Sequence, residues 1–303
     1  RRKRQMCIRA SKTVDALHGK NIGLNSQNGD LCYYHYDVSD YVLGYVLGVE
    51  WDEMFVDYVC RFNEGIAPYQ GAYISSRQEA NAVEIFFSQW GDYLLKYEEE
   101  TYGTQKLLSF ANWPETDPLV NEVSPKLSVA SAAENTEAFI DLENLQLSDK
   151  VESGMFASYN VYPYFPASLQ YGKYTEYIDD EGNRNPYRKY LMEIVDHHSC
   201  PVIITEYGVP ASRSPAYKDV WRNLSQGGNN ETEQGIALLE MYEDIQESGC
   251  AGGMVFTWQD EWFKRSWNEK SLSNPDGRAN WSNVRSVEQF YGLLAFEPGD
   301  GKA

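Results

Sequence analysis

Cys200-Pro-Val-Ile-Ile-Thr-Glu206-Tyr-Gly208 is an apolar run that stops on a glutamate and turns on a glycine. Short continuous apolar runs are how buried parallel strands read, because both faces of such a strand are covered. Further on, Gly252-Gly-Met-Val-Phe-Thr-Trp258-Gln-Asp-Glu-Trp262 repeats the pattern and ends in aromatics and acids. Outward from these two runs, strands and helices alternate. Arg4–Leu17, Glu79–Thr101, Tyr187–His197 and Glu231–Ser248 read as helices. In Glu79–Thr101 the residues Val83, Phe86, Phe87, Trp90, Tyr93, Leu94 and Tyr97 recur at three- and four-residue steps, the spacing of one helical face. Strand candidates lie near Asn21, Tyr41, Lys106, Gly154, Val202 and Gly253, with long loops at Val120–Asn135 and Tyr162–Pro186. This rhythm predicts an α/β fold with a parallel sheet.

A closed (β/α)8 barrel needs eight strands, and six are legible. The chain opens inside a helix, without a methionine. The expectation is therefore a TIM (β/α)8 barrel truncated at its N-terminus, with strands three to eight present. The residues 1–303 would form a single barrel domain, with 268–303 as a C-terminal extension. An open sheet is the other reading, but it leaves strand edges unprotected.

Composition narrows the function classes. The 303 residues carry 45 acids against 26 bases, a formal net charge of −19. Such a surface repels phosphate backbones, which argues against a nucleic-acid partner. No apolar segment approaches the ~20 residues that span a bilayer, and no apolar stretch follows the basic Arg1-Arg-Lys-Arg as it would in a signal peptide. Cys7, Cys32, Cys60, Cys200 and Cys250 are odd in number and widely spaced, which reads as free thiols and not as a disulfide framework or zinc site. The adjacent His197-His198 pair points two ways from one helix end, so no metal is expected there. Sequons at Asn223, Asn230 and Asn280 carry no weight without a secretory route. Serine-hydrolase, P-loop and dinucleotide-binding motifs are absent from the sequence.

In a barrel, chemistry sits where the strands end. A carboxylate at one tip and a tryptophan at the next suit a sugar-cleaving site. Glu206 attacks or stabilises an anomeric carbon, and the Trp258 indole offers a flat apolar floor for a pyranose. Glu206 must then be ionised, which calls for donors such as Tyr162; its structural alternative is a cap on a following helix. Trp113, Tyr162 and Tyr164 read equally as pocket lining or loop core. Asp260 and Glu261 either bind hydroxyls or pair with Lys264 and Arg265.

The strand tips resemble those of the clan A glycoside hydrolases, retaining (β/α)8 glycosidases that include families 2 and 5. Counting back from Trp258 as the eighth strand puts Glu206 on the seventh and Glu50 on the fourth. The resemblance implies Glu206 as nucleophile and Glu50 as acid/base. It also implies that Tyr162 of Asn160-Val-Tyr162 hydrogen-bonds the nucleophile. From His18 to Trp267 the chain is similar to a group of uncharacterised bacterial clan A proteins, through Leu47-Gly-Val-Glu50-Trp-Asp, Asn112-Trp-Pro-Glu-Thr-Asp-Pro118, Phe156-Ala-Ser-Tyr-Asn-Val-Tyr-Pro163 and Trp258-Gln-Asp-Glu-Trp-Phe-Lys-Arg265. One departure stands out. The clan has Asn-Glu at the fourth strand, whereas Val49 precedes Glu50 here; a literal Asn63-Glu64 lies further on, making Glu64 the alternative acid/base. The expectation is a retaining glycosidase or transglycosidase acting on an oligo- or polysaccharide with a β linkage, without a cofactor. A non-catalytic carbohydrate-binding barrel is the alternative, because function lives in the site and not in the fold.

Overall fold

The computed structural model describes residues 2–20, 23–25, 31–119, 139–213, 215–261, 263–264 and 286–295. The chain divides into two compact units. The first comprises Arg1–Asn112, Thr116–Pro118 and Thr136–Ala157; the second comprises Trp113–Glu115, Leu119–Asn135 and Ser158–Ala303.

In the first unit the elements run α1 (Arg2–Leu17), β1 (Gly23–Asn25), β2 (Leu31–Tyr33), β3 (Gly44–Leu47), α2 (Glu53–Phe62), β4 (Ile74–Ser76), α3 (Ala82–Tyr102), β5 (Leu107–Asn112) and β6 (Leu145–Leu147). β3 and β5 are parallel, with Tyr45 opposite Leu108 and Leu47 opposite Phe110. Helix α3 packs beside them through buried Val83, Phe87, Leu94 and Leu95. Phe87 stacks on Phe110 with centroids 4.5 Å apart, a contact that contributes about 1 kcal/mol beyond its area. The helix starts on Asn81, whose side chain accepts from Val83 and Glu84 N–H while Glu84 reaches back to Asn81 N–H. That reciprocal cap satisfies donors that a helix start otherwise leaves open.

Glu84 does more than cap. Its carboxylate is buried and also accepts from Asp141 N and from Asn144 Nδ2, at 2.8 and 2.9 Å. Truncating it strands three donors in the interior. Glu84→Ala is expected to destabilise the protein by about 2–4 kcal/mol. The corresponding fall in Tm, roughly 5–10 °C by calorimetry, checks it.

The second unit holds β7 (Ala157–Asn160), α4 (Pro186–His197), β8 (Val202–Tyr207), α5 (Glu231–Glu247) and β9 (Gly252–Val255), in the sheet order β7-β8-β9. Helices α4 and α5 open on Asn185 and Asn230, whose side chains accept from Arg188 and Glu233 N–H. Their inward faces bury Tyr187, Tyr190, Leu191, Ile194, Met241 and Ile245. β8 and β9 pair in parallel, Ile203 with Gly252 and Ile204 with Gly253, then resume at Tyr207 with Val255. Three steps along β8 therefore match two along β9. The extra residue falls next to Glu206, and a bulge of this kind re-aims the side chain beside it.

Two departures from the sequence reading follow from local chemistry. The run near Asn21 is no barrel strand: Gly23–Asn25 pairs antiparallel with Leu31–Tyr33 as a separate two-stranded sheet. The Asn28-Gly29 dipeptide between them is the hairpin signal that decides against a parallel partner. The acidic stretch after Glu50 does not stay a solvated run either. Asp52 caps α2 by accepting from Phe55 N–H. The paired β4 and β6, three residues each, are too short for any periodicity to declare them. The expected loop Val120–Asn135 lies outside the described residues, apart from none of its neighbours named below, as do Trp262, Arg265 and Asn280.

Cys7, Cys60, Cys200 and Cys250 are free thiols. Among the described residues no helix is long and apolar enough to cross a membrane.

Candidate functional site

The site in the second unit is built around Glu206 at the end of β8. The following Gly208 allows two strand tips to meet: a Cβ there would sit 2.5 Å from Phe256 O, inside any real contact. Tyr162 Oη donates to Glu206 Oε2 at 2.8 Å. Asn160 also bonds the Glu206 side chain. Thr205 Oγ1 donates to Asn160 Oδ1 at 3.0 Å, which leaves the Asn160 amide N–H groups for the carboxylate. Burial pushes the Glu206 carboxyl above the usual range; Tyr162, Lys264 and Asn160 pull it back down, and Glu261 pushes it further up. Donors to the charged form and a nearby cation keep a half-buried carboxylate ionisable.

Beyond β9 the chain carries the other groups. Trp258 is 69% exposed, an indole presented to solvent. Asp260 is buried and accepts from Gly292 N at 2.9 Å, tying the C-terminal segment to this tip. Glu261 pairs with Lys264 at 2.8 Å, and the Lys264 ammonium lies 4.0 Å from the centre of the Phe256 ring. Trp113 stacks on Phe165 at 5.8 Å, and Phe165 meets Tyr217 at 5.2 Å, forming an aromatic row. Tyr164 is fully buried and meets Tyr291 Oη at 2.5 Å, so it belongs to the core and not to a pocket lining. His198 is bonded through Nε2 to Tyr159 Oη at 2.9 Å.

Glu50 is half-buried in the first unit, beyond the end of β3. Gly48 precedes it at φ +96°, and the Trp51 indole packs within 2.4 Å of where a Cβ would stand. Only glycine tolerates both demands. Trp51 in turn packs on Phe87, 5.3 Å between centroids, so the backbone flanking Glu50 is anchored on both sides. Glu64 has no such setting. It is exposed in the turn past α2, and its neighbour Asn63 donates to Val59 O at 2.7 Å, capping the helix end. Val49 is 65% exposed.

The sequence reading missed Lys264 as more than a salt-bridge partner, and it missed Glu288 and Tyr291 altogether. These come from a short C-terminal segment whose residues carry no periodic signal. A second concave region, about 390 Å3, is lined by Asp179, Glu181, Arg188, Trp221, Arg222 and Glu240. Both arginines there are engaged by the fully buried Asp244, which makes the region a structural ion-pair network.

No protein-family profile matches the chain, and no curated sequence does. Among solved structures it is similar to a glycoside hydrolase family 17 β-1,3-glucanosyltransferase from Rhizomucor miehei, at 13% identity and TM-score 0.29, covering 67% of this chain and 52% of that one. It is also similar to a β-glucuronidase from Ruminococcus gnavus, at 13% identity and TM-score 0.31, covering 67% and 27%. A β-glucosidase from Exiguobacterium marinum aligns at 12% identity and TM-score 0.34, covering 86% and 61%. The chain thus spans less than two thirds of each of these proteins. Likenesses at such TM-scores do not by themselves establish a shared fold or activity.

Proposed function

We propose that the protein is a retaining glycoside hydrolase or transglycosidase acting on a β-linked glycan. The observation that supports this reading is Glu206 at a strand end, half-buried, with Tyr162 and Asn160 bonded to its carboxylate and Lys264 nearby. In the first step Glu206 forms a bond to the anomeric carbon as the bond to the leaving oxygen breaks, and Glu50 gives that oxygen its proton. In the second step Glu50 takes a proton from water, whose oxygen displaces Glu206. Tyr162 and Asn160 hold the carboxylate in one orientation before attack. The scheme needs the two carboxyl groups about 5–5.5 Å apart, and no cofactor.

We read the five parallel strands as the last strands of a (β/α)8 barrel within a single domain. Tyr41, Leu43, Val46 and Val49 are exposed along and beside β3, an apolar edge that suits further strands pairing there.

Trp258 serves in this reading as the sugar platform, and its exposure would serve a non-catalytic carbohydrate-binding protein equally. A screen of chromogenic α- and β-glycosides separates the two. Hydrolysis of a β-glycoside with retention, followed by NMR of the first-formed anomer, is the expected result; binding without turnover would favour the binding protein. On a cleaved substrate, Trp258→Ala is expected to raise KM about tenfold, the worth of ~1–1.5 kcal/mol of ring stacking. An unchanged Tm would exclude misfolding as the cause.

A further inference from the structure

The C-terminal segment brings a carboxyl group, Glu288, into the surroundings of Glu206. Two hydrogen bonds pin the segment to the β9 tip: Glu261 N donates to Gln289 O at 3.1 Å, and Gln289 Nε2 donates to Lys264 O at 2.7 Å. Further along, Thr257 N donates to Tyr291 O at 3.1 Å. Glu288 itself is held from behind. Gln226 Nε2 donates to Glu288 Oε1 at 2.7 Å and to Tyr291 Oη at 3.0 Å. Tyr291 Oη meets Tyr164 Oη, and both phenols are buried. The carboxyl is thereby fixed where it interacts electrostatically with Glu206, Glu261 and Lys264.

Three carboxyl groups therefore share one ammonium. Glu206 comes from β8 and Glu261 and Lys264 from the loop after β9. Glu288 comes from the C-terminal segment, and the hydroxyl of Tyr162 arrives from beyond β7. Asp260 is turned away to Gly292 N. Like charges in a half-buried site cannot all ionise freely, and a single cation relieves only part of the repulsion. We propose that Glu288 is a positioning residue that sets the charge state of Glu206 by competing with it for Lys264. When the carboxylate of Glu206 is consumed in forming a glycosyl ester, the ammonium becomes available to Glu288, so the site keeps one compensated negative charge through both steps. The inference rests on the glycosidase reading for its purpose but not for its measurement.

The test follows individual glutamates by carboxyl 13C NMR in the full chain, with Glu206 and Glu288 assigned by the signals lost in Glu206→Gln and Glu288→Gln. Removing a neighbouring negative charge favours ionisation. Glu288→Gln is therefore expected to lower the Glu206 midpoint by about half to one pH unit. By reciprocity Glu206→Gln must lower the Glu288 midpoint by the same amount, and this arm decides the matter should Glu288→Gln fail to fold. Lys264→Met is expected to raise both. On a cleaved substrate the acidic limb of kcat/KM shifts with the Glu206 midpoint, whereas Glu288→Asp restores it. Midpoints that stay in place in both variants overturn the proposal even if the enzyme is active. Midpoints that move in a protein that cleaves no glycoside uphold the coupling and sink the glycosidase reading instead.

Discussion

Glu206→Ala is expected to abolish hydrolysis, lowering kcat by about 10^4-fold or more, the scale seen when a nucleophile is removed. Nothing else at the strand tip is placed to form the covalent intermediate, and the half-buried position tolerates truncation without a collapse of the core. The pH profile of the parent carries a matching sign. Because burial raises the Glu206 carboxyl, the acidic limb of kcat/KM is expected above the usual glutamate range, with activity lost as pH falls through it. Supplying azide to Glu206→Ala gives the α-glycosyl azide, since the small anion occupies the vacated space and displaces the leaving group once. Near-normal turnover by Glu206→Ala would end the assignment and move the binding-protein reading, or a site at Asp260 and Glu261, ahead.

The second large effect concerns Glu50, and it depends on the leaving group. With an alkyl glycoside, whose leaving oxygen needs a proton, Glu50→Ala is expected to lower kcat/KM about 10^2–10^4-fold. With a dinitrophenyl glycoside the first step needs no acid, so the intermediate on Glu206 forms and waits. Azide then needs no general base and releases it as the β-glycosyl azide, identified by NMR. Glu64→Ala serves as the control, expected within about twofold of the parent, as is usual for exposed positions. A large loss in Glu64→Ala with none in Glu50→Ala would reverse the two roles.

The residues at each element start explain why so much of the fold was readable. α3, α4 and α5 open on Asn81, Asn185 and Asn230, whose side chains take the first free N–H groups, and each helix then repeats its apolar face at helical spacing. β5 and β8 are continuous apolar runs because their surroundings are dry on both sides, and that pattern survives in the sequence alone. Glu206 at a strand end and Asn160-Val-Tyr162 after the preceding strand were legible for the same reason.

What the sequence could not contain is the set of encounters between residues far apart along it. No local pattern announces that β8 carries one residue more than β9 beside Glu206, since a bulge is a mismatch between two strands and not a property of either. Nor does periodicity reveal that Gln289 bonds Lys264 O, bringing Glu288 to a carboxylate on β8, because a short segment without a repeating face declares nothing until it docks. The sequence by itself determined the helices, the parallel strands and the carboxylate at the tip, all of which follow from local capping and burial. The tertiary structure alone decided which charges surround that carboxylate, because electrostatic neighbours are set by distance in space, and distance in space is set by packing.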